Sequence, residues 1–133
     1  CAVGPRSSVA SFDASRLSKP IDENADREKT FAITCFYIRA GHRGKGVMTA
    51  LAQAAIDHAR RRRAVAIEAC AIDTKRQLMW GEGFVGLASV FRKLNFREIA
   101  RRTPTRPLMR LQLGEAKRAT AGSVQSLRGR PIR

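Results

Sequence analysis

The sequence predicts a mixed α/β (α+β) fold: a mixed sheet built on a central βαβ unit and closed by a C-terminal antiparallel hairpin. Three observations carry this expectation. Residues 31–38 (FAITCFYI) are apolar apart from Thr34 and rich in β-branched and aromatic side chains, the pattern of a strand covered on both faces. From Val47 the residues Met48, Leu51, Ala52, Ala55, Ile56 and Ala59 recur at helical spacing. Residues 64–72 (AVAIEACAI) form a second apolar run. Strand, helix and strand in that order make the two strands parallel, joined by a right-handed crossover.

Taken in order, residues 1–30 read as a strand remnant followed by a long loop. Residues 1–6 end in the Gly4-Pro5 turn, as in a fragment that lacks a natural N-terminal portion. Residues 7–30 are polar, anchored only by Val9, Phe12, Leu17 and Ile21, with one short helical turn expected around residues 14–17. The acids Asp22, Glu23, Asp26 and Glu28 suit a solvated bend. The core then spans residues 31–113. Its first helix stops at the arginines of residues 60–63, whose charge suits the negative end of the helix dipole.

Glu68 interrupts the second apolar strand and admits two readings. It is either a paired or edge-exposed carboxylate, or a base whose burial raises its pKa toward neutrality. Residues 73–83 form a polar loop around Met79 and Trp80; the indole either lids a pocket or packs over the core edge. Leu87, Ala88, Phe91 and Leu94 place a second helix over residues 85–94, with Asn95 as a left-handed cap. Residues 96–101 and 108–113 flank the turn at residues 103–107 as the final hairpin. Residues 114–133 read as a disordered basic tail, or as a basic arm for an acidic partner.

The charge is +15 over 133 residues, with pI about 11.4. Such a balance attracts nucleic acid or another polyanion, and it equally describes a solvated arginine-rich surface from a GC-rich, bacterial-like genome. Aromatic residues are only 6% of the chain, so no stacking platform supports nucleic acid as the main partner. No apolar run reaches membrane-spanning length, and no secretory pattern opens the chain. Cys1, Cys35 and Cys70 are odd in number and lack metal-ligand spacing, so no metal is expected. Reduced thiols point to the cytoplasm.

The chemistry concentrates in Gly41, His42, Arg43, Gly44, Lys45 and Gly46, between the first strand and the first helix. Glycines let the backbone turn tightly, and a helix N-terminus offers N–H groups without intrahelical partners. With Arg43 and Lys45 beside them, those groups suit a phosphate or pyrophosphate. The other reading is a tight connection whose basic residues face water. The turn has neither the GxxxxGK[ST] order of nucleotide hydrolases nor a GxGxxG run.

Arg43-Gly44-Lys45-Gly46-Val47-Met48 resembles the acetyl-CoA-binding motif Q/R-x-x-G-x-G/A of the GCN5-related N-acetyltransferases (GNAT). Arg43 and Gly46 match its first two fixed positions; Met48 departs from the third. The element order after residue 31 is also similar, and GLASVFRKLNF (residues 86–96) resembles the family's second helix. The likeness covers about residues 31–113 and implies a partial GNAT acyl-CoA N-acyltransferase fold, without the earlier portion that helps bind the acceptor.

The resemblance also implies an activity: transfer of an acetyl group from acetyl-CoA to a primary amine by direct attack. The pyrophosphate would lie on Arg43, Gly44, Lys45, Gly46, Val47 and Met48. The pantetheine arm would follow Phe36, Tyr37 and Ile38 in the splay between the two strands, with a main-chain N–H of Tyr37 or Ile38 as oxyanion donor. Phe91 would contact the cofactor where the family often has a Tyr that protonates the leaving thiolate. Tyr37 and Ser89 are the substitutes for that acid, Glu68 the carboxylate candidate for a base, and His42 the imidazole one, otherwise a surface residue. His58 receives no role. Two other readings remain: a non-catalytic acyl-CoA-binding fragment and a basic nucleic-acid-binding module. The amine acceptor is unidentified, and an exposed sheet edge would invite a homodimer.

Overall fold

The structure is a computed structural model that describes residues 1–79 and 81–114. The chain runs β1 (Ala2–Pro5), a 3-10 turn (Arg6–Ser8), α1 (Ala10–Ala14), β2 (Thr30–Cys35), α2 (Val47–Arg61), β3 (Ala66–Cys70), a second 3-10 turn (Glu82–Val85), α3 (Ala88–Lys93), β4 (Arg97–Arg101) and β5 (Pro107–Gln112). The strands form one five-stranded sheet in the order β1-β2-β3-β5-β4. β2 and β3 are parallel, as a helical crossover requires, and the other neighbours are antiparallel.

One face of the sheet is dry. Phe31 and Ile33 of β2, Ile67 and Ala69 of β3 and Met109 of β5 pack against Ala52, Ala55, Ile56 and Ala59 of α2 and Ala88 and Phe91 of α3. Alanines at three of these four contact positions let α2 sit close to the strands. The helix then closes in a Schellman motif: Ala64 N–H donates to the Ala59 carbonyl at 2.9 Å and Arg63 N–H to that of Arg60 at 2.9 Å. Arg63 takes the left-handed position, φ 58°, which glycine usually fills. α3 ends in the same way, with Asn95 at φ 68° and Phe96 N–H on the Phe91 carbonyl at 3.0 Å, as the sequence predicts for Asn95.

The opposite face is held by charge. Strand alternation turns Glu68 away from Ile67 and Ala69, and its carboxylate meets Arg6 Nε at 3.1 Å. Arg6 is fully buried. It also donates to Asp13 Oδ1 at 3.2 Å and the Ser18 carbonyl at 2.7 Å, and lies 4.8 Å over the Phe12 ring. Asp13 in turn accepts from Arg27 at 2.7 Å. A buried guanidinium is tolerated only when its donors are used, and here three acceptors use them. Cys70 lies on the same face with its thiol on the Leu17 carbonyl at 3.6 Å; burial pushes that thiol up, against the neighbouring Arg106.

Several expectations change. The loop of residues 7–30 is pinned to the sheet by the Arg6 network, and its helical turn lies at Ala10–Ala14 rather than near residues 14–17. The first core strand stops at Cys35 instead of residue 38, because beyond it the backbone bonds elsewhere. The second core strand shortens to Ala66–Cys70. The second helix begins at Ala88, not residue 85, because Gly86 sits at φ 89°, outside helical space. Glu68 takes the first of its two readings, a paired carboxylate. Trp80 and residues 115–133, and with them the expectations for the indole and the basic tail, lie outside the described residues. Among the described residues, no helix is long and apolar enough to cross a membrane.

Candidate functional site

β2 and β3 pair only as far as Ile33 and Ala69, and beyond that point they diverge. The chain leaving β2 turns through Gly41, Gly44 and Gly46, all left-handed at φ 87°, 73° and 76°. A Cβ on Gly44 or Gly46 would meet nothing within 4 Å, so the requirement is conformational rather than steric. Gly46 caps α2, and its carbonyl accepts the first helical bond from Ala50 N–H at 3.1 Å. No side chain caps this end. The N–H groups of Val47, Met48 and Thr49 therefore have no intrahelical acceptor and carry the positive end of the helix dipole. Arg43 Nε donates to the Ile38 carbonyl at 3.1 Å, which ties the glycine turn back to the segment leaving β2.

A cleft of about 650 Å³ opens at this helix end. His42, Arg43, Gly44 and Gly46 line it with Val47, Met48 and Thr49 of α2, and Phe36 and Ile38 form one wall. The other wall comes from the connection between β3 and α3: Leu78, Met79, Gly81, Gly83, Phe84 and Leu87, with Val90 of α3. None of these lining residues is a carboxylate. Amide donors and the Arg43 guanidinium thus meet apolar walls, an arrangement suited to an elongated ligand with an anionic part and a weakly polar arm.

The second wall is a strap braced by two sets of ion pairs. Glu82 accepts from Arg76 NH1 at 2.7 Å and from the Met79 N–H, contacts that lower its carboxyl from 4.5 to about 2, Arg76 contributing most. Asp73 at the base accepts from Arg92 at 2.8 Å and Arg101 at 2.7 Å, and is lowered from 3.8 to about 2 by those bonds. The strap's backbone then enters the splay. Phe36 N–H donates to the Phe84 carbonyl at 2.6 Å, Ile72 N–H to that of Gly86 at 2.9 Å, and Ala88 N–H to that of Ile72 at 2.9 Å. The splay expected for a pantetheine arm is therefore filled by the chain's own residues, and the cleft lies beside it. Gly86 makes this possible: a Cβ there would stand 2.7 Å from the Phe91 ring and 2.8 Å from the Phe36 ring.

Of the residues singled out in the sequence, Phe36, Ile38, Arg43, Gly44, Gly46, Val47 and Met48 line the cleft, and His42 joins them. Lys45 is exposed beside it. Tyr37 is 69% exposed, its ring edge-on to Phe84 at 6.3 Å, and does not line the cleft. Ser89 is exposed on α3, also outside the lining. Phe91 is fully buried, packed on Phe36 and Phe96 with ring centroids 6.0 and 5.0 Å away, which removes it from a cofactor surface. Glu68 is bonded to Arg6 on the opposite face, not at the cleft. His58 is half-buried against Phe31, 6.1 Å between centroids. Sequence reasoning missed the strap. Its signals were Leu78 and Met79 within a polar stretch and the glycines at 81, 83 and 86. Among the described residues, no group of three or more His, Cys, Asp or Glu is placed to hold a metal ion.

Residues 16–79 match the family model described as Acetyltransferase (GNAT) family, just under half of the chain. The match takes in part of the N-terminal loop, β2, the glycine turn, α2 and β3, and ends before α3. It begins earlier and stops sooner than the likeness read in the sequence from the motif and the element order, about residues 31–113. The five-stranded mixed sheet with few helices is consistent with a partial fold of this family, and the match supports acetyltransferase activity in general. Searches of curated proteins and of solved structures gave no match.

Proposed function

We propose that the chain is an N-acetyltransferase that moves the acetyl group of acetyl-CoA to a primary amine. The observation that carries this reading is the left-handed Gly46 cap. It leaves the N–H groups of Val47, Met48 and Thr49 without intrahelical acceptors at the mouth of a cleft with apolar walls. In this reading the pyrophosphate accepts from those groups and from Arg43, with Lys45 adding charge from outside. The pantetheine arm lies along Phe36 and Ile38 under Leu78 and Phe84. The amine attacks the thioester carbonyl, a C–N bond forms, and the C–S bond breaks to release CoA thiolate.

Among the described residues, the N–H groups of Tyr37 and Ile38 donate to no protein acceptor, so they are available to the developing oxyanion. The amine proton passes to solvent or to His42, the imidazole at the cleft. Cys35 and Cys70 need no nucleophilic part. A second reading, acyl-CoA binding without turnover, is favoured by one observation: among the described residues no carboxylate lines the cleft, and Glu68 is committed to Arg6.

Thermal unfolding with and without CoA tests the site. A ligand at a hundred times its dissociation constant adds about 2.7 kcal/mol. The expected result is a clear rise in midpoint that disappears in Arg43→Ala. No rise in a cooperatively unfolding sample would sink both readings. A rise without acetylation across an amine panel would leave the binding-only one.

A further inference from the structure

The ionic face of the sheet carries two guanidiniums that the rest of the molecule does not account for. Arg110 of β5 lies directly opposite Arg97 of β4 in the strand register, and opposite Glu68 of β3 on its other side. Cations facing each other across an antiparallel pair repel. Glu68 does not relieve this, because its ion pair is with Arg6. Glu98, next to Arg97 in sequence, is bonded to Arg101.

Other arginines of the fold find acceptors. Arg6 has three, Arg102 bonds the carbonyls of Leu17, Lys19 and Pro20, and Arg106 those of Ala71 and Cys70. Arg92 and Arg101 share Asp73. Arg110 alone combines partial burial with no acceptor: its Nε is buried and bonds nothing in the protein among the described residues. A buried, unused N–H on a charged group is costly, and the group that would relieve it is an oxygen anion.

We infer that Arg110 and Arg97 form a binding site for an oxyanion, a phosphate group or a carboxylate, on the sheet face away from the cleft. A planar guanidinium can take two oxygens of one anion through paired N–H donors, and a second guanidinium across the strand pair supplies the remaining charge. This inference is independent of the acetyltransferase reading, because Glu68 and Arg110 lie on the face opposite α2 and α3.

The test is thermal unfolding titrated with inorganic phosphate and, separately, with acetate, at ionic strength held constant with chloride. At about five times its dissociation constant, a one-site ligand raises the midpoint of a chain this size by about 3–6 °C. The phosphate-induced rise is expected to persist in Arg43→Ala, to shrink in Arg110→Met, a variant that keeps the apolar stem, and to vanish when the two substitutions are combined. Arg97→Gln is expected to weaken binding about tenfold, and carries the test if Arg110→Met fails to fold. A response to phosphate alone identifies a phosphate group as the ligand; a response to both ions includes carboxylates. A rise that is lost in Arg43→Ala and kept in Arg110→Met would place the anion at the helix end and overturn the inference. No rise with either ion would overturn it as well.

Discussion

The two faces of the sheet solve the same problem with opposite chemistry. On one face, Ile33, Ile67 and Met109 meet the alanines of α2 and the ring of Phe91, and contacts are won by shape. On the other, Arg6, Glu68 and Asp13 tie an otherwise irregular segment to the strands, and contacts are won by paired charge. The difference teaches where each face is vulnerable. Apolar packing tolerates volume-conserving change and fails when atoms collide. A buried ion pair fails when either member is left alone, yet both members together are replaceable.

Four variants probe that contrast, beginning with the largest effect. Arg6→Met strands Glu68 in a buried position, and urea unfolding should show a loss of about 3–5 kcal/mol. Arg6→Met combined with Glu68→Met should regain most of it. A double variant as unstable as the single one would mean that the charges do more than satisfy each other. On the apolar face, Gly86→Ala drives a Cβ into Phe36 and Phe91 at 2.7–2.8 Å and holds alanine at positive φ. The cost should be about 2–3 kcal/mol by the same measurement. Gly83→Ala, whose Cβ would lie 3.6 Å from Leu78 at ordinary contact distance, should be nearly silent. Equal effects at the two glycines would refute the steric account.

The smallest effect is a pH dependence at the base of the strap. Asp73 falls from an ordinary 3.8 to about 2 in the fold, so its contribution is complete above about pH 4 and is lost as pH falls through about 2. Hydrogen exchange around α3 should therefore quicken across that window. In Asp73→Asn the pH dependence should flatten; an unchanged profile would assign the loosening to other carboxylates such as Glu82.

Legibility followed the range of the physics. The β2–turn–α2–β3 unit could be read because periodicity and glycine act within a few residues, and Asn95 was recognisable because a left-handed cap is local. The cleft's glycine side was visible for the same reason. Arg6 and Glu68 are 62 positions apart, and nothing in an apolar strand containing one Glu names the cation that pairs with it. The strap was hidden for a different reason. Residues 36–38 look like continuing strand, and only the Phe84 carbonyl, bonded to Phe36 N–H, reveals that they have left the sheet. Likewise Leu87, Ala88, Phe91 and Leu94 have helical spacing whether the helix begins at 85 or 88; the φ of Gly86 decides.

The irregular register of β4 has a bearing on how copies of the protein meet at high concentration. A bulge falls between Glu98 and Ala100, on an edge strand whose sequence is Arg-Glu-Ile-Ala-Arg. A bulge twists the outer backbone out of line, and flanking charges make a second strand unwelcome there. Sheet growth is thereby discouraged on the β4 side, and the outer strand at the other end, β1, is four residues long, ends in proline and carries a register shift of its own between Ala2 and Val3.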